Sequence, residues 1–191
     1  MKLRAFASPA LLVPLLFILV VDLWTKAWAW GYVDAHRDLR YSRPRVVWIE
    51  DLLLIAKEVN TGTLWGLGSE YTHLLIGFRM LILAFLLFLA FRTQAGQVWR
   101  RIGLGLVLGG ALGNLHDNLL RADRGVRDFI DVKIPLPWAE PPLNYYDYPV
   151  FNIADSAVLV GAVILFFAFG STKPRPESPA SGTQGGSEGP S

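Results

Sequence analysis

Four stretches of the chain are almost uniformly apolar, and each is long enough to cross a membrane. A spanning helix needs about 20 mostly apolar residues. The pattern therefore predicts four membrane helices, at about residues 10–30, 74–91, 102–120 and 151–169. The first stretch follows a basic start but continues through Asp22 and Lys26 without a small-residue cleavage pattern. We therefore expect a retained helix rather than a cleaved signal peptide.

The composition supports the membrane interpretation and excludes several other classes. Hydrophobic residues make up 52% of the 191 residues and charged residues 18%, against roughly 25% charged residues in soluble domains. The lack of cysteine excludes disulfides, thiol catalysis and cysteine-based metal sites. A net charge of +2 is too small to indicate a nucleic-acid partner. The three histidines, His36, His73 and His116, lie in different segments, so we predict no metal site and no cofactor.

The segments outside the apolar stretches predict two further features. Residues 45–60 are rich in β-branched and aromatic residues around a turn-like Glu50-Asp51, which predicts a small β element. Residues 171–191 are rich in Pro, Gly and Ser, which predicts disorder. The predicted fold class is an all-α integral membrane protein. Residues 1–170 form a four-transmembrane-helix bundle with a small extracytoplasmic β element, and residues 171–191 form a disordered cytoplasmic tail.

The distribution of Lys and Arg favours an orientation with both termini in the cytoplasm. Basic residues are dense in the short N-terminus, in the short connection between helices two and three, and in the tail. The total number of Lys and Arg residues does not favour this orientation, because the longer loops at 31–73 and 121–150 hold more basic residues in total.

In that orientation the polar residues of the membrane segments lie near one surface. The residues concerned are Asp22, Lys26, Asn60, Asn114, His116, Asp117, Asp128, Asn152 and Asp155. An ionisable group in a bilayer costs several kcal/mol unless it is paired or solvated, and it marks a functional site by default. The inner halves of the same helices are almost free of polar side chains. We therefore predict a polar pocket that opens to the outer surface and sideways to lipid.

Two carboxylates in this pocket, Asp128 and Asp155, are candidates for acid/base chemistry. If they lie within a few ångström, burial and like-charge repulsion leave one proton shared between them at neutral pH. The ionised member can then activate water while the protonated member polarises a carbonyl. Asp131 is the rival to Asp128. A proton-coupled transporter could use the same acids as a relay, but it requires polar groups through the full depth of the bundle.

Other polar positions have both structural and functional interpretations. Asp22 and Lys26 are four residues apart, so they share a helix face and can form an ion pair that braces the helix or faces substrate. Arg79, near the outer end of helix two, is expected to snorkel to phosphate, with a grip on a substrate's lipid headgroup as the alternative. The glycines of helix three favour close helix packing.

Five short stretches form a pattern that is more specific than any of them alone. They are Asp22-Leu-Trp-Thr-Lys26, Asn60-Thr-Gly-Thr-Leu-Trp-Gly66, Gly109-Gly-Ala-Leu-Gly-Asn114-Leu-His-Asp117, Val126-Arg-Asp128-Phe-Ile-Asp131 and Phe151-Asn152-Ile-Ala154-Asp155. In order and in content they resemble the motifs of the lipoprotein signal peptidases, the signal peptidase II family of bacterial membrane aspartic peptidases.

The resemblance implies an activity, a location and a set of site residues. Members of the family cleave prolipoproteins at the outer face of the cytoplasmic membrane, just before a cysteine that carries diacylglycerol. The catalytic aspartates then correspond to Asp128 and Asp155. The positions that shape or line the site are Asp22, Lys26, Asn60, Gly62, Asn114, Asp117, Asn152 and Ala154. The implied partners are diacylglyceryl-prolipoproteins and membrane lipid, with no cofactor, and we expect a monomer.

The chain also departs from the family pattern. Leu23 replaces a Gln, residues 63–65 replace Ala-Ala-Phe, and Asn118 stands where the family has Arg. The interval from Asp117 to Asp128 is longer than in the pattern, and Arg121 or Arg124 is a candidate to replace the missing guanidinium. These departures are the best support for the alternative of an inactive peptidase-like scaffold.

Overall fold

The computed structural model describes residues 8–50, 52–61, 72–94, 96–138, 140 and 144–170. Within these residues the chain forms four long helices. They are α1 (Pro9–His36), α2 (Thr72–Arg92), α3 (Val98–Leu120) and α4 (Ile153–Gly170). The helices coincide with the four apolar stretches of the sequence. Helix α1 continues beyond the predicted end near residue 30, because Trp28, Tyr32 and His36 stack on one another at four-residue spacing.

Three of these helices, α1, α2 and α4, are long and apolar enough to cross a membrane. Helix α3 is not among them, because its glycines and the polar residues of its last turns lower its hydropathy. It is instead the most buried of the four and contacts each of the other three. The structure is thus that of a helix-rich membrane protein in which α3 is the central helix.

Small residues on α3 bring the helix backbones close together, as the glycine pattern predicts. A Cβ atom added at Gly110 would lie 2.5 Å from the carbonyl oxygen of Ala154 on α4. A Cβ at Gly109 would lie 2.6 Å from the carbonyl oxygen of Leu15 on α1. Both contacts are with backbone atoms, which cannot rotate away as a side chain can. Glycine is therefore required for α1 and α4 to pack at these distances from α3.

The variant Gly110→Ala should be destabilised. Overpacking of a close contact typically costs about 1–3 kcal/mol, and we expect the free energy of unfolding in detergent micelles to fall by that amount. The matched control is Gly77→Ala on α2, where nothing lies within 4 Å of an added Cβ. Its stability should stay the same or rise slightly, because alanine is the better helix former. Equal losses in the two variants would contradict the packing argument.

A four-stranded antiparallel sheet accompanies the helices. Its strands are β1 (Arg45–Ile49), β2 (Leu53–Asn60), β3 (Val126–Pro135) and β4 (Tyr145–Asp147), in the order β1-β2-β3-β4. The first two confirm the β element predicted at residues 45–60. Strands β3 and β4 were not predicted. From the sequence, Asp128 was expected to lie just beyond the end of a helix, whereas it lies on strand β3. The β-branched run Val126-Arg-Asp-Phe-Ile-Asp-Val-Lys-Ile is the signal that was missed.

Strand β3 connects the sheet to the start of α4. On one side Ile130 pairs with Ile55 of β2, and on the other side it forms a β-bridge with Phe151. The two backbone N–H···O bonds of that bridge measure 2.8 and 3.1 Å. The sheet also packs on the end of α1, where Ala29 and Val33 contact Ile55 and Phe129. These contacts fix the distance between β3 and the first turn of α4.

Candidate active site

The first turn of α4 forms a capping box. Asn152 is the residue before the helix, and its Oδ1 accepts the N–H of Asp155 at 3.0 Å. In return Oδ2 of Asp155 accepts the N–H of Asn152 at 3.2 Å. This reciprocal pairing satisfies two backbone donors that a helix start leaves unpaired. The side chain of Asp155 is therefore held by the same motif that begins the helix.

Asp128 reaches the same place from strand β3. Its side chain is buried, with 2% of the residue exposed. Oδ1 accepts a hydrogen bond from Nδ2 of Asn152 at 2.6 Å, and Oδ2 accepts one from Nδ2 of Asn60 at 3.0 Å. Since Asn152 contacts both Asp128 and Asp155, the two carboxylates are neighbours. Asn152 thus connects the two carboxylates, with hydrogen bonds to each of them.

The environment of Asp128 disfavours its ionised form. Burial is the main cause, and the charge of Asp155 is the next. Together they raise the pKa of Asp128 to about 7, although the hydrogen bonds from Asn60 and Asn152 act in the opposite direction. A carboxyl group with this pKa holds a proton for much of the time at neutral pH, so the site can contain one acid and one base.

The rival carboxylate, Asp131, lies elsewhere. It is three residues further along β3, and side chains at odd spacing point to opposite faces of a strand. Nη1 of Arg45 lies 2.6 Å from its Oδ2, in an ion pair whose angles fall outside those of a hydrogen bond. Burial raises the pKa of Asp131. The fold thus places Asp128, and not Asp131, beside Asp155.

A buried charge cluster supports the pair from α1 and α3. Nζ of Lys26 lies 2.7 Å from Oδ2 of Asp22, 2.9 Å from Oδ1 of Asn114 and 3.5 Å from Oδ2 of Asp117. Asn114 in turn donates from Nδ2 to Oδ1 of Asp155 at 2.8 Å. Asn114 therefore connects the buried lysine to one of the two carboxylates.

Asp22 also fixes the position of α4. Its Oδ1 accepts the backbone N–H of Ala154 at 3.0 Å, and both residues are fully buried. An N–H in the first turn of a helix has no partner within the helix, and the helix dipole favours a negative charge there. The Asp22–Ala154 contact thus sets the start of α4 against α1.

Sequence reasoning missed Arg127. Its guanidinium binds both oxygens of Asp117, with Nη2 2.7 Å from Oδ1, and its backbone N–H donates to Oδ2 at 2.9 Å. An arginine directly before the candidate aspartate Asp128 was the available signal. Arg121, one of the two candidates to replace the missing guanidinium, pairs with Asp123 at 2.5 Å. Arg124 contributes its backbone carbonyl, which accepts from Asn118, and has a positive φ of 52°.

Two cavities lie along α4. One of about 320 Å³ has Asp155 in its wall, and its other lining residues are Val132, Ile134, Tyr148, Phe151, Ser156 and Leu159. The other, of about 560 Å³, lies between the beginning of α3 and the last turns of α4, and its described lining contains no carboxylate. The smaller, mostly apolar cavity is therefore the one next to the acid pair.

The structure brings together the predicted site residues that it describes. Besides the two aspartates they are Asp22, Lys26, Asn60, Asn114, Asp117, Asn152 and Ala154. Gly62 lies outside the described residues. Among the described residues no group of three or more His, Cys, Asp or Glu side chains could hold a metal ion. Two adjoining carboxylates, one of them with a raised pKa, are the arrangement that aspartic peptidases use.

Comparison with known proteins gives the same class. Residues 15–170 match the family model described as signal peptidase (SPase) II. The lipoprotein signal peptidase of Bacillus velezensis is 36% identical over 151 residues, covering 79% of this chain and 87% of that protein. That of Geobacillus thermodenitrificans is 34% identical over 149 residues, covering 78% and 82%.

A solved structure of a bacterial membrane enzyme, determined by the in meso method at 2.3 Å resolution, is also similar. It superposes with a TM-score of 0.63 at 26% identity, over 87% of this chain and 92% of that one. The fold and the relatives thus define a bacterial membrane aspartic peptidase. The chain belongs to the signal peptidase II family, which confirms the prediction made from the five motifs.

Proposed function

We propose that the protein removes signal peptides from prolipoproteins by cleaving just before a cysteine that carries diacylglycerol, with Asp128 and Asp155 as the catalytic pair. The observation that carries the proposal is the contact of Asn152 with both carboxylates. A shared neighbour keeps the two groups close together, as the reaction of both with one water molecule requires. Membership of the family supplies the class of substrate.

The reaction needs one protonated and one ionised carboxyl group. Asp128 has the raised pKa, so it carries the proton and hydrogen-bonds to the scissile carbonyl oxygen. Asp155 takes a proton from the water as its oxygen attacks the carbonyl carbon. The carbonyl oxygen gains the proton of Asp128 in the tetrahedral intermediate. When the C–N bond breaks, the amine leaves with the proton from Asp155, and Asp128 recovers its own from the collapsing hydroxyl.

The substrate is expected to approach from the lipid. The 320 Å³ cavity beside Asp155 is lined mainly by apolar side chains, so it suits an apolar part of the substrate next to the lipidated cysteine. We further propose that all four helices span the membrane, with both termini in the cytoplasm and the acid pair near the outer face. One chain supplies both aspartates, so a monomer is sufficient for the reaction.

The first test is whether cleavage depends on the lipid. The purified full-length protein is incubated in detergent with a diacylglyceryl-modified prolipoprotein, and cleavage is followed as a gel shift. A matched substrate lacks the diacylglyceryl group but is otherwise identical. We expect cleavage of the first and not of the second. Equal cleavage of both substrates would contradict the proposed requirement for the diacylglyceryl group. Cleavage of neither substrate would favour the alternative of an inactive scaffold.

The pH dependence follows from the pKa of Asp128. The group must be protonated, so kcat/KM should fall above about pH 7, where Asp128 loses its proton. At low pH the pair gains a second proton and the base is lost, which gives a bell-shaped profile with two apparent pKa values that belong to the pair. The measurement is kcat/KM for the lipidated substrate across the pH range. A rate that stayed constant from pH 6 to well above pH 8 would contradict this assignment.

A further inference from the structure

The guanidinium of Arg79 binds Asn118, which lies one helical turn beyond Asn114, the residue that contacts Asp155, and the proposed reaction gives Arg79 no task. Arg79 is half-buried on the apolar helix α2 and interacts electrostatically with both Asp155 and Asp128. A charged group within a membrane helix costs free energy unless it is paired or solvated. Its place on this apolar helix therefore requires an explanation.

Asn118 on α3 holds the Arg79 side chain in place. Nη1 of Arg79 donates to Oδ1 of Asn118, which is 1% exposed. The amide of Asn118 is itself fixed, because its Nδ2 donates to the carbonyl oxygen of Arg124 at 2.6 Å. The guanidinium is thus positioned by a neutral, buried amide and not by a carboxylate.

Arg79 differs in this respect from the other arginines around the site. Arg127 pairs with Asp117, Arg121 with Asp123 and Arg45 with Asp131. Arg79 forms no salt bridge with any of the carboxylates in the part of the chain that the structure describes. A guanidinium has five N–H donors, and the contact with Asn118 occupies one of them. The remaining donors are available to a ligand at the acid pair.

We propose that Arg79 is a substrate-binding residue whose guanidinium donates hydrogen bonds to a carbonyl oxygen of the substrate next to the scissile bond. Arg79 on α2 brings a guanidinium to Asn118, the position on α3 at which the family motif has Arg. The inference rests on the proposed function, since the ligand is a prolipoprotein. Two groups of that substrate offer such an oxygen near the cysteine: the peptide backbone and the ester links of the diacylglyceryl group.

The test is the kinetics of Arg79→Asn with the lipidated prolipoprotein. Loss of a hydrogen bond from a charged donor should raise KM about 10- to 100-fold, while kcat changes much less. The control is Arg92→Gln, at the other end of the same helix, where the guanidinium stacks on Phe88 at 5.3 Å. KM of that variant should equal that of the wild type. An unchanged KM in folded Arg79→Asn would overturn the proposal.

A swap of the two side chains separates binding from helix packing. In the double variant Arg79→Asn, Asn118→Arg the guanidinium moves to α3 and the amide to α2. We expect KM to fall again relative to Arg79→Asn alone. A KM that the swap leaves high overturns the assignment, because a packing role would then account for the loss. If Arg79→Asn does not fold, Arg79→Lys keeps the charge but loses the planar donors, and a raised KM is again required.

The source of the oxygen is identified with a second substrate in which ether links replace the ester links. If Arg79 binds an ester carbonyl, the ether substrate already shows the raised KM in the wild type, and Arg79→Asn adds nothing further. If it binds the peptide backbone, the two effects add. Failure of this inference is distinct from failure of the proposed function. If only the inference about Arg79 fails, Asp128→Asn is still inactive. If the proposed function fails, Asp128→Asn still cleaves the prolipoprotein.

Discussion

The variants Asp128→Asn and Asp155→Asn should each lose cleavage of the lipidated prolipoprotein, by about 10²- to 10⁴-fold or more in kcat, the usual contribution of a general acid or base. Asparagine has nearly the same shape as aspartate, so it keeps the side chain's place beside Asn152. It can neither take a proton from water nor give one to the carbonyl oxygen. The measurement is single-turnover cleavage, read as a gel shift, for the wild type and both variants.

Stability distinguishes loss of chemistry from loss of fold. The raised pKa of Asp128 means that its ionised form is disfavoured in the folded protein. Its contribution to the free energy of unfolding is fully present below the ordinary pKa of an aspartate and is lost as the pH rises through about 7. Asp128→Asn removes that ionisation, so at pH 8 it should be at least as stable as the wild type.

The matched control for the pair is Asp131→Asn. This carboxylate is on the same strand and equally buried, but it pairs with Arg45 and not with Asn152. We expect Asp131→Asn to cleave at nearly the wild-type rate once corrected for the folded fraction. If it were inactive while folded, and Asp128→Asn active, the roles assigned to the two residues would have to be exchanged.

The variant Lys26→Met should be strongly destabilised. Lys26 is fully buried between Asp22 and Asp117, at 2.7 and 3.5 Å. Removing one partner of a buried ion pair leaves an uncompensated charge, which typically costs about 3–5 kcal/mol. Asp117 keeps Arg127, whereas within the described part of the chain Asp22 keeps the N–H of Ala154 alone. The measurement is the free energy of unfolding in detergent micelles.

Two further variants check this reasoning about Lys26. Lys57→Met removes the exposed partner of Asp34, a pair of similar length at 2.6 Å, and should cost at most about 1 kcal/mol. The double variant Lys26→Met, Asp22→Asn removes both charges of the buried pair and should recover part of the lost stability. Equal losses for Lys26→Met and Lys57→Met would show that burial of the Lys26 cluster is not important.

The two predictions together show how the site is built. The acid pair contains the charge that is costly to bury, and the cluster around Lys26 holds the backbone elements that bring the pair together. Lys26 acts on Asp155 through Asn114, with contacts of 2.9 and 2.8 Å. Loss of the cluster is therefore expected to lower activity as well, through the position of α4.

The positions of the helices and the class of the protein follow from the amino-acid sequence alone. Apolar runs of about 20 residues leave few alternatives to membrane helices, and the structure has helices at all four. The five motifs in their order were sufficient for the family, because each is short and local and can be recognised without the fold. Asp22 and Lys26 could be paired from their spacing alone, since residues four apart share a helix face.

The contacts between groups that are distant in the sequence depend on the packing of the whole fold. Strand β3 pairs with β2 and with the residue before α4, so Asp128 reaches Asp155 through contacts between segments that are far apart in the sequence. The contacts of Arg127 with Asp117 and of Arg79 with Asn118 also join different elements of the fold. Spacing along the chain predicts contacts within one helix or strand, but a contact between elements depends on how they pack. For this reason the sequence suggested Arg121 and Arg124 as replacements for the missing guanidinium, whereas in the fold Arg127 and Arg79 contact Asp117 and Asn118.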